Sequence, residues 1–97
     1  MIEFEWDLNK AKTNLQKHRV AFGEAATIFS DGLSITIYDP DHSDQEDRYI
    51  TIGTSGTGRF LMVAHTDRGG QIRIISARQL TRKERKAYEK EIQRRNR

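Results

Sequence analysis

With 97 residues, 35% of them hydrophobic and 32% charged, the chain has room for one domain with a thin core, so chemistry belongs on an open face or shallow groove and not in a deep pocket. The absence of cysteine rules out a disulfide framework, a thiol nucleophile and a Cys-based metal site. The net charge of +3 is uneven, because residues 81–97 hold eight Lys/Arg against three Glu, while Asp39, Asp41, Asp44, Glu46 and Asp47 fall within nine residues.

Ile2 to Glu5 alternates apolar and acidic residues, which predicts a short strand. No apolar run approaches the length of a bilayer span, so a cytoplasmic protein without a membrane partner is expected. Asp7 can cap a following helix, and Leu8, Ala11, Leu15 and His18 recur at helical spacing over residues 8–18. His18 closes that helix, where an imidazolium complements the dipole; this gives it a structural role. Phe22, Ala25, Ala26 and Phe29 mark a second helix over 22–30, stopped by Asp31-Gly32. The period then changes to two. Strands are predicted over 33–38, 48–54, 59–66 and 71–77, separated by an acidic loop after Pro40 and by turns at Ser55–Gly58 and Asp67–Gly70. Thr81 and Glu84 form a capping box for a last helix that ends near Arg94. Its apolar stripe is only Ala87, Tyr88 and Ile92, which leaves a basic face free, Lys83 and Lys86 among it. The order β-α-α-β-β-β-β-α describes an α+β domain over residues 1–97, with an antiparallel sheet, two N-terminal helices and a basic C-terminal helix.

Four-residue loops at both hairpins set a register in which Ile52 faces Leu61, Arg48 faces His65 and Val63 faces Ile74. One sheet face then carries Arg48, Ile50, Ile52, Leu61, Val63, His65, Ile74, Ser76 and Arg78 and is expected under the helices. The other carries Tyr49, Thr51, Thr66 and Arg73 and stays open. Alternation along the last strand sends Arg73 and Arg78 to opposite faces.

Five arginines, Arg48, Arg59, Arg68, Arg73 and Arg78, lie in or beside the strands. A guanidinium grips phosphate oxygens bidentately and keeps its charge, and Tyr49 among them could stack on a base, which suits RNA. The plainer explanation is ion pairing, Arg48 with Glu46 and Arg78 with Glu84. His65, in a strand, is a candidate general base. Asp39, Asp41 and Asp44 with His42 could approach a hard cation, but they lack calcium-loop spacing and a distal Glu, so a solvated loop without metal is expected. There is no HExxH, Walker loop or GxGxxG, and no cofactor is expected.

Phe4-Glu5-Trp6-Asp7 followed by Lys10, Asn14 and Lys17-His18 resembles the opening motif of the BrnT family. Glu46-Asp47-Arg48-Tyr49, Ile52-Gly53, Thr66-Asp67-Arg68-Gly69, Arg73-Ile74-Ile75-Ser76-Ala77-Arg78 and Glu84-Arg85 with Tyr88 match its later motifs in order. The resemblance covers nearly the whole chain; the Gly usual after Lys-His is Arg19 here. It implies a RelE-like fold and a ribonuclease toxin of a type II toxin–antitoxin module that inhibits translation and arrests growth. It also implies a BrnA-type antitoxin with a ribbon-helix-helix part, giving a heterotetramer through antitoxin dimerisation that contacts operator DNA through the antitoxin.

RNA cleavage without metal needs the 2′-OH to attack the adjacent phosphate, with one proton taken, one given and the extra charge steadied. Arg73 and Arg78 are the expected charge stabilisers. Arg68 holds the backbone, with Arg48, Arg59, Lys83 and Lys86 as further RNA contacts. His65 or Glu46 is the expected base, Tyr49 stacks or donates a proton, and Ser76 orients a phosphate oxygen. The rival reading is a non-catalytic module that binds nucleic acid or protein through its basic helix.

Overall fold

Strand β1, Glu3–Trp6, sends Phe4 and Trp6 to one side of the sheet, and Asp7 then turns the chain by accepting a hydrogen bond from the Lys10 amide at 2.9 Å. The computed structural model describes residues 2–96; Met1 and Arg97, the ends of the expected domain, lie outside the described residues. Helix α1 covers Leu8–His18 and stops at Arg19, whose φ of 58° is left-handed. A side chain with a Cβ pays for that conformation, so Arg19→Gly is expected to stabilise the fold by about 1 kcal/mol, read as a raised midpoint in urea. Helix α2 is shorter than expected, Phe22–Ala26, and passes into a 3-10 turn over Thr27–Ser30. Then come β2 (Ile35–Tyr38), a 3-10 turn at Pro40–His42, β3 (Arg48–Thr54), β4 (Phe60–Arg68), β5 (Gln71–Gln79) and α3 (Arg82–Arg95).

The five strands lie in the order β1-β5-β4-β3-β2. Strands β2 to β5 form an antiparallel meander, but β1 runs parallel to β5, so the sheet is mixed and the expected all-antiparallel sheet is corrected. Hairpins fix the directions of β2 to β5 relative to one another. The helices between β1 and β2 free β1 from that constraint.

Two local features overturn the expected faces. The β3–β4 connection is one residue longer than the assumed loop: Thr54 pairs with Phe60, Ser55 N donates to Arg59 O at 2.8 Å, and Gly58 takes φ 87°. An odd shift exchanges every side chain of β3, so Arg48 faces Thr66 and not His65. The β4–β5 turn tightens to Gly69-Gly70, both at positive φ, and a bulge follows where Ala64 pairs Ser76 while His65 pairs Ile74. Ile75 is the extra residue. It returns Arg78, opposite Met62, to the face that Arg73 occupies opposite Thr66, so the expectation that the two arginines part is corrected.

The helix-covered face packs Leu61, Val63, Ile74 and Ala77 against Val20, Phe22, Ala25 and Ile28, with Phe4, Trp6 and Phe29 around them. Gly53 lies where a Cβ would stand 3.1 Å from the Ser34 Cβ and 3.3 Å from the Ile28 Cβ, which lets the 3-10 turn sit against β3. Of the expected stripe of helix α1 only Ala11 packs against the core; Leu8 is 78% and Leu15 48% exposed. The helix's buried residue is Asn14. Beyond Ile74 strand β5 has lost β1 as a neighbour, and the Asn14 amide takes that place. Its Oδ1 accepts from Ala77 N at 3.0 Å, and its Nδ2 donates to Ala77 O and Val20 O, both at 2.9 Å.

Candidate active-site groove

The other sheet face is a groove. Helix α1 walls it on the β5 side and the acidic segment 39–47 on the β3 side. Its upper half, a cavity of about 510 Å³, is lined by Lys10, Arg48, Thr66, Arg68 and Arg73 together with Asp41, His42, Asp44 and Glu46. Its lower half, about 360 Å³, is lined by His18, Asp39, His42, Arg48, Ser76 and Arg78 around Met62 and Ala64.

Register builds the floor. Arg48, Thr66 and Arg73 are direct partners on β3, β4 and β5, so they form a row across the sheet with side chains on one face. The row extends to Glu5 on β1, partner of Arg73, and to Asp39, whose amide donates to Arg48 O at 2.9 Å. The flanking acids draw the two guanidiniums only loosely: Arg73 Nη1 lies 3.8 Å from Glu5 and Arg48 Nε 3.9 Å from Asp39. Between them Thr66, 4% exposed, carries a buried hydroxyl with no hydrogen-bond partner among the described residues, and Arg48 Nε is likewise buried and unpaired. Buried polar atoms are rarely left so, and ordered water or a ligand normally completes them. Arg68 closes the upper end in a bidentate pair with Glu46, at 2.8 and 2.9 Å. Arg78 closes the lower end, bidentate to Glu84 at 2.8 and 2.9 Å, and so ties the floor to the capping box of α3.

Four of the residues expected to be catalytic therefore line the groove: Arg73, Arg78, Ser76 and Glu46. The structure places the other two on the opposite face. The His65 ring is buried at 3% exposure, stacked on Tyr49 and edge-on to Phe29, with Nε2 within 2.8 Å of Thr51 Oγ1. Burial lowers its pKa against the pull of the nearby Asp67 carboxylate, and the ring has no path to the groove. Tyr49 is held between His65 and Tyr38. The expectation for Tyr49 assumed the register that the longer β3–β4 turn removes; His65 lies on the helix-covered face where the expected register also put it, and its burial there removes it as a base. Glu46 faces the groove, but hydrogen bonding from Arg68 pulls its pKa below the ordinary carboxylate value, which makes it a weaker base. The expected Arg48–Glu46 pair is replaced by Arg68–Glu46, whereas Arg78–Glu84 forms as expected.

Of the expected RNA contacts, Arg68 and Arg48 are in the groove. Lys83 and Lys86 are exposed on α3 and line neither half; α3 docks through Tyr88 against Phe60 and a Tyr88 hydroxyl bond to Leu33 O at 3.2 Å. Arg59 lies on the far side, where its Nε donates to Glu24 at 2.9 Å and its Nη2 to both Glu24 and the Arg19 carbonyl, clamping the β3–β4 turn onto α1 and α2. Hydrogen bonds from Arg59, then from Thr57 and Ser55, hold Glu24 at about 2, down from an ordinary 4.5. The folded value is the lower one, so the clamp's contribution is complete above about pH 5 and is lost as pH falls through 2. Glu24→Gln is expected to cost at most about 3 kcal/mol at pH 7 and to flatten the acid limb of a stability–pH curve.

Lys10, Thr66, His42 and His18 were not among the expected site residues. Thr66 was expected on the open face beside Arg73 but was given no role there, and Lys10 becomes visible only once the course of α1 is known. The His42 ring, 61% exposed at the groove wall, is held by Nδ1 at 2.9 Å from Asp39 Oδ2. Among the described residues no three His, Asp or Glu side chains converge to hold a metal ion, the 39–44 set included.

The chain is thus a small α+β protein whose open sheet face carries a groove lined by arginines and acids. The chain belongs to the BrnT family: the model described as "Ribonuclease toxin, BrnT, of type II toxin-antitoxin system" matches residues 6–84. The fold is similar to that of the Brucella abortus ribonuclease toxin BrnT in its 1.1 Å crystal structure, with a TM-score of 0.62 and 21% identity over 84% of this chain and 100% of that one. No curated protein matches the chain. Membership of a type II toxin–antitoxin family implies an antitoxin partner. Among the described residues no helix is long and apolar enough to cross a membrane.

Proposed function

We propose that this chain is a RelE-like endoribonuclease that cleaves RNA without a metal ion and arrests growth by inhibiting translation. The observation that carries this reading is the Arg48–Thr66–Arg73 row, two loosely paired guanidiniums on either side of a buried, unpartnered hydroxyl. A phosphodiester on this row takes a hydrogen bond from Thr66 Oγ1 and charge-assisted bonds from both arginines, which leaves no buried polar atom of the row unpaired. When the 2′-oxygen attacks phosphorus, the phosphorane gains negative charge, and fixed guanidiniums stabilise it more than the ground state. Lys10 and Arg68 extend the cationic track along the flanking phosphates. Ser76 and Arg78 orient the next nucleotide at the lower end. This supply of fixed positive charge is what a metal ion would otherwise contribute.

The partner in this reading is a BrnA-type ribbon-helix-helix antitoxin. It covers the groove, dimerises to give a heterotetramer, and brings the complex to operator DNA in the cytoplasm. Inducible expression in a bacterial host tests the function. Growth arrest with loss of RNA, relieved by co-expressed antitoxin, is the expected outcome. Normal growth with soluble, folded toxin accumulating would overturn it.

A further inference from the structure

We propose that His42 and His18, facing the lower half of the groove from opposite walls, are the acid–base pair of the cleavage reaction, with Asp39 orienting His42. This rests on the RNA-cleavage reading and names the groups that move its protons. Both histidines line the same cavity, together with Ser76, Arg48 and Arg78. His42 is delivered by the 3-10 turn Pro40–His42 and His18 by the last residue of α1, so neither depends on the sheet register. Asp39, only 9% exposed and fixed at the end of β2, accepts from Nδ1–H and leaves the His42 Nε2 lone pair free. His18 makes no side-chain hydrogen bond among the described residues. The charged groups lining the cavity with the two rings are Asp39, Arg48 and Arg78; Lys10 and Lys17 flank His18, and Asp41 and Asp44 flank His42.

The step balances within the pair. Neutral His42 takes the 2′-hydroxyl proton on Nε2 as the O2′–P bond forms. The P–O5′ bond breaks, and protonated His18 gives its proton to the departing 5′-oxygen. The products are a 2′,3′-cyclic phosphate and a 5′-hydroxyl, and solvent exchange resets both rings. His65, buried on the other face, plays no part.

The test is the pH–rate profile of His42→Ala, His18→Gln and Asp39→Asn on an RNA oligonucleotide. It is paired with the same oligonucleotide carrying sulfur in place of the 5′-oxygen at the bond that the wild type cuts. Each histidine variant is expected to lose about 10²-fold in kcat with KM little changed, the usual worth of a positioned proton-transfer group. His42→Ala loses the acid limb of the profile and His18→Gln the alkaline limb. A thiolate leaves without a proton, so the sulfur substrate restores His18→Gln and leaves His42→Ala slow. Asp39→Asn lowers kcat by about tenfold at unchanged KM, because orientation of a retained base is all it removes. Wild-type kcat and profile in either histidine variant would overturn the pair while leaving RNA cleavage standing, as would failure of the sulfur substrate to rescue His18→Gln. RNA left intact by the wild type would overturn the cleavage reading itself, and the pair with it.

Discussion

Arg73→Ala is expected to lower kcat for RNA cleavage by about 10²–10³-fold, the cost of removing one fixed donor aimed at transition-state charge. Arg48→Ala has an effect of the same order, because the two guanidiniums flank Thr66 symmetrically in one row of the sheet. The double variant loses less than the product of the two, since residues that act on one phosphate as a unit are not additive. Arg73→Lys keeps the charge but not the planar fork, and it recovers only part of the rate. Both side chains are about a quarter exposed and lie off the core, so circular dichroism and Tm are expected to stay close to wild type. Steady-state kinetics on a short RNA, with thermal melts of the same preparations, checks both statements together.

Asn14→Ala is expected to be the most destabilising single change. It strips hydrogen-bond partners from the Ala77 amide, the Ala77 carbonyl and the Val20 carbonyl, all at buried positions. Each buried group left unpaired costs about 1–3 kcal/mol, which puts the loss at about 3 kcal/mol or more and the fall in Tm at roughly 10–20 °C. Asn14→Asp is isosteric and still expected to be as severe, because a carboxylate oxygen would then face two carbonyl oxygens. A mild Asp variant would mean that packing, and not the amide's donor–acceptor pattern, holds α1 against β5. The result bears on function as well, since α1 supplies Lys10 and His18 to the groove wall.

The element order was legible in the sequence because period-two and helical runs, the Asp7 and Thr81 caps and the glycine turns all act locally. The Arg78–Glu84 pair was legible for a related reason, as both residues sit within one short connection. What could not be read was which side chains share a face. That depended on one residue in the Ser55–Arg59 turn and on one bulged residue, Ile75, and neither has a distinctive local signature. Those two features moved Arg48 and Arg78 onto the face of Arg73 and moved Tyr49 to the core face, where His65 already lay. The direction of β1 was hidden too, because parallel pairing with β5 is settled only after the whole meander has formed. Family resemblance supplied the ribonuclease reading, but it could not say which arginines converge.

The same geometry separates two uses of arginine that look alike in sequence. Arg59 is engaged by the Glu24 carboxylate and the Arg19 carbonyl and acts as a clamp. Arg48 and Arg73 have acids no closer than 3.8 Å, and their side chains make no hydrogen bond among the described residues. Arg59 is satisfied inside the fold and stabilises it, whereas the loosely paired Arg48 and Arg73 beside the unpartnered Thr66 hydroxyl are the ones the proposed reading gives to the reacting phosphate.

The most direct test of the central claim is the end chemistry of RNA incubated with purified protein in EDTA. Wild type is expected to leave 2′,3′-cyclic phosphate and 5′-hydroxyl ends, and a folded Arg48→Ala/Arg73→Ala variant is expected to leave the RNA intact. Cleavage by that variant at the wild-type rate, or cleavage by the wild type only when Mg²⁺ replaces EDTA, would contradict the account.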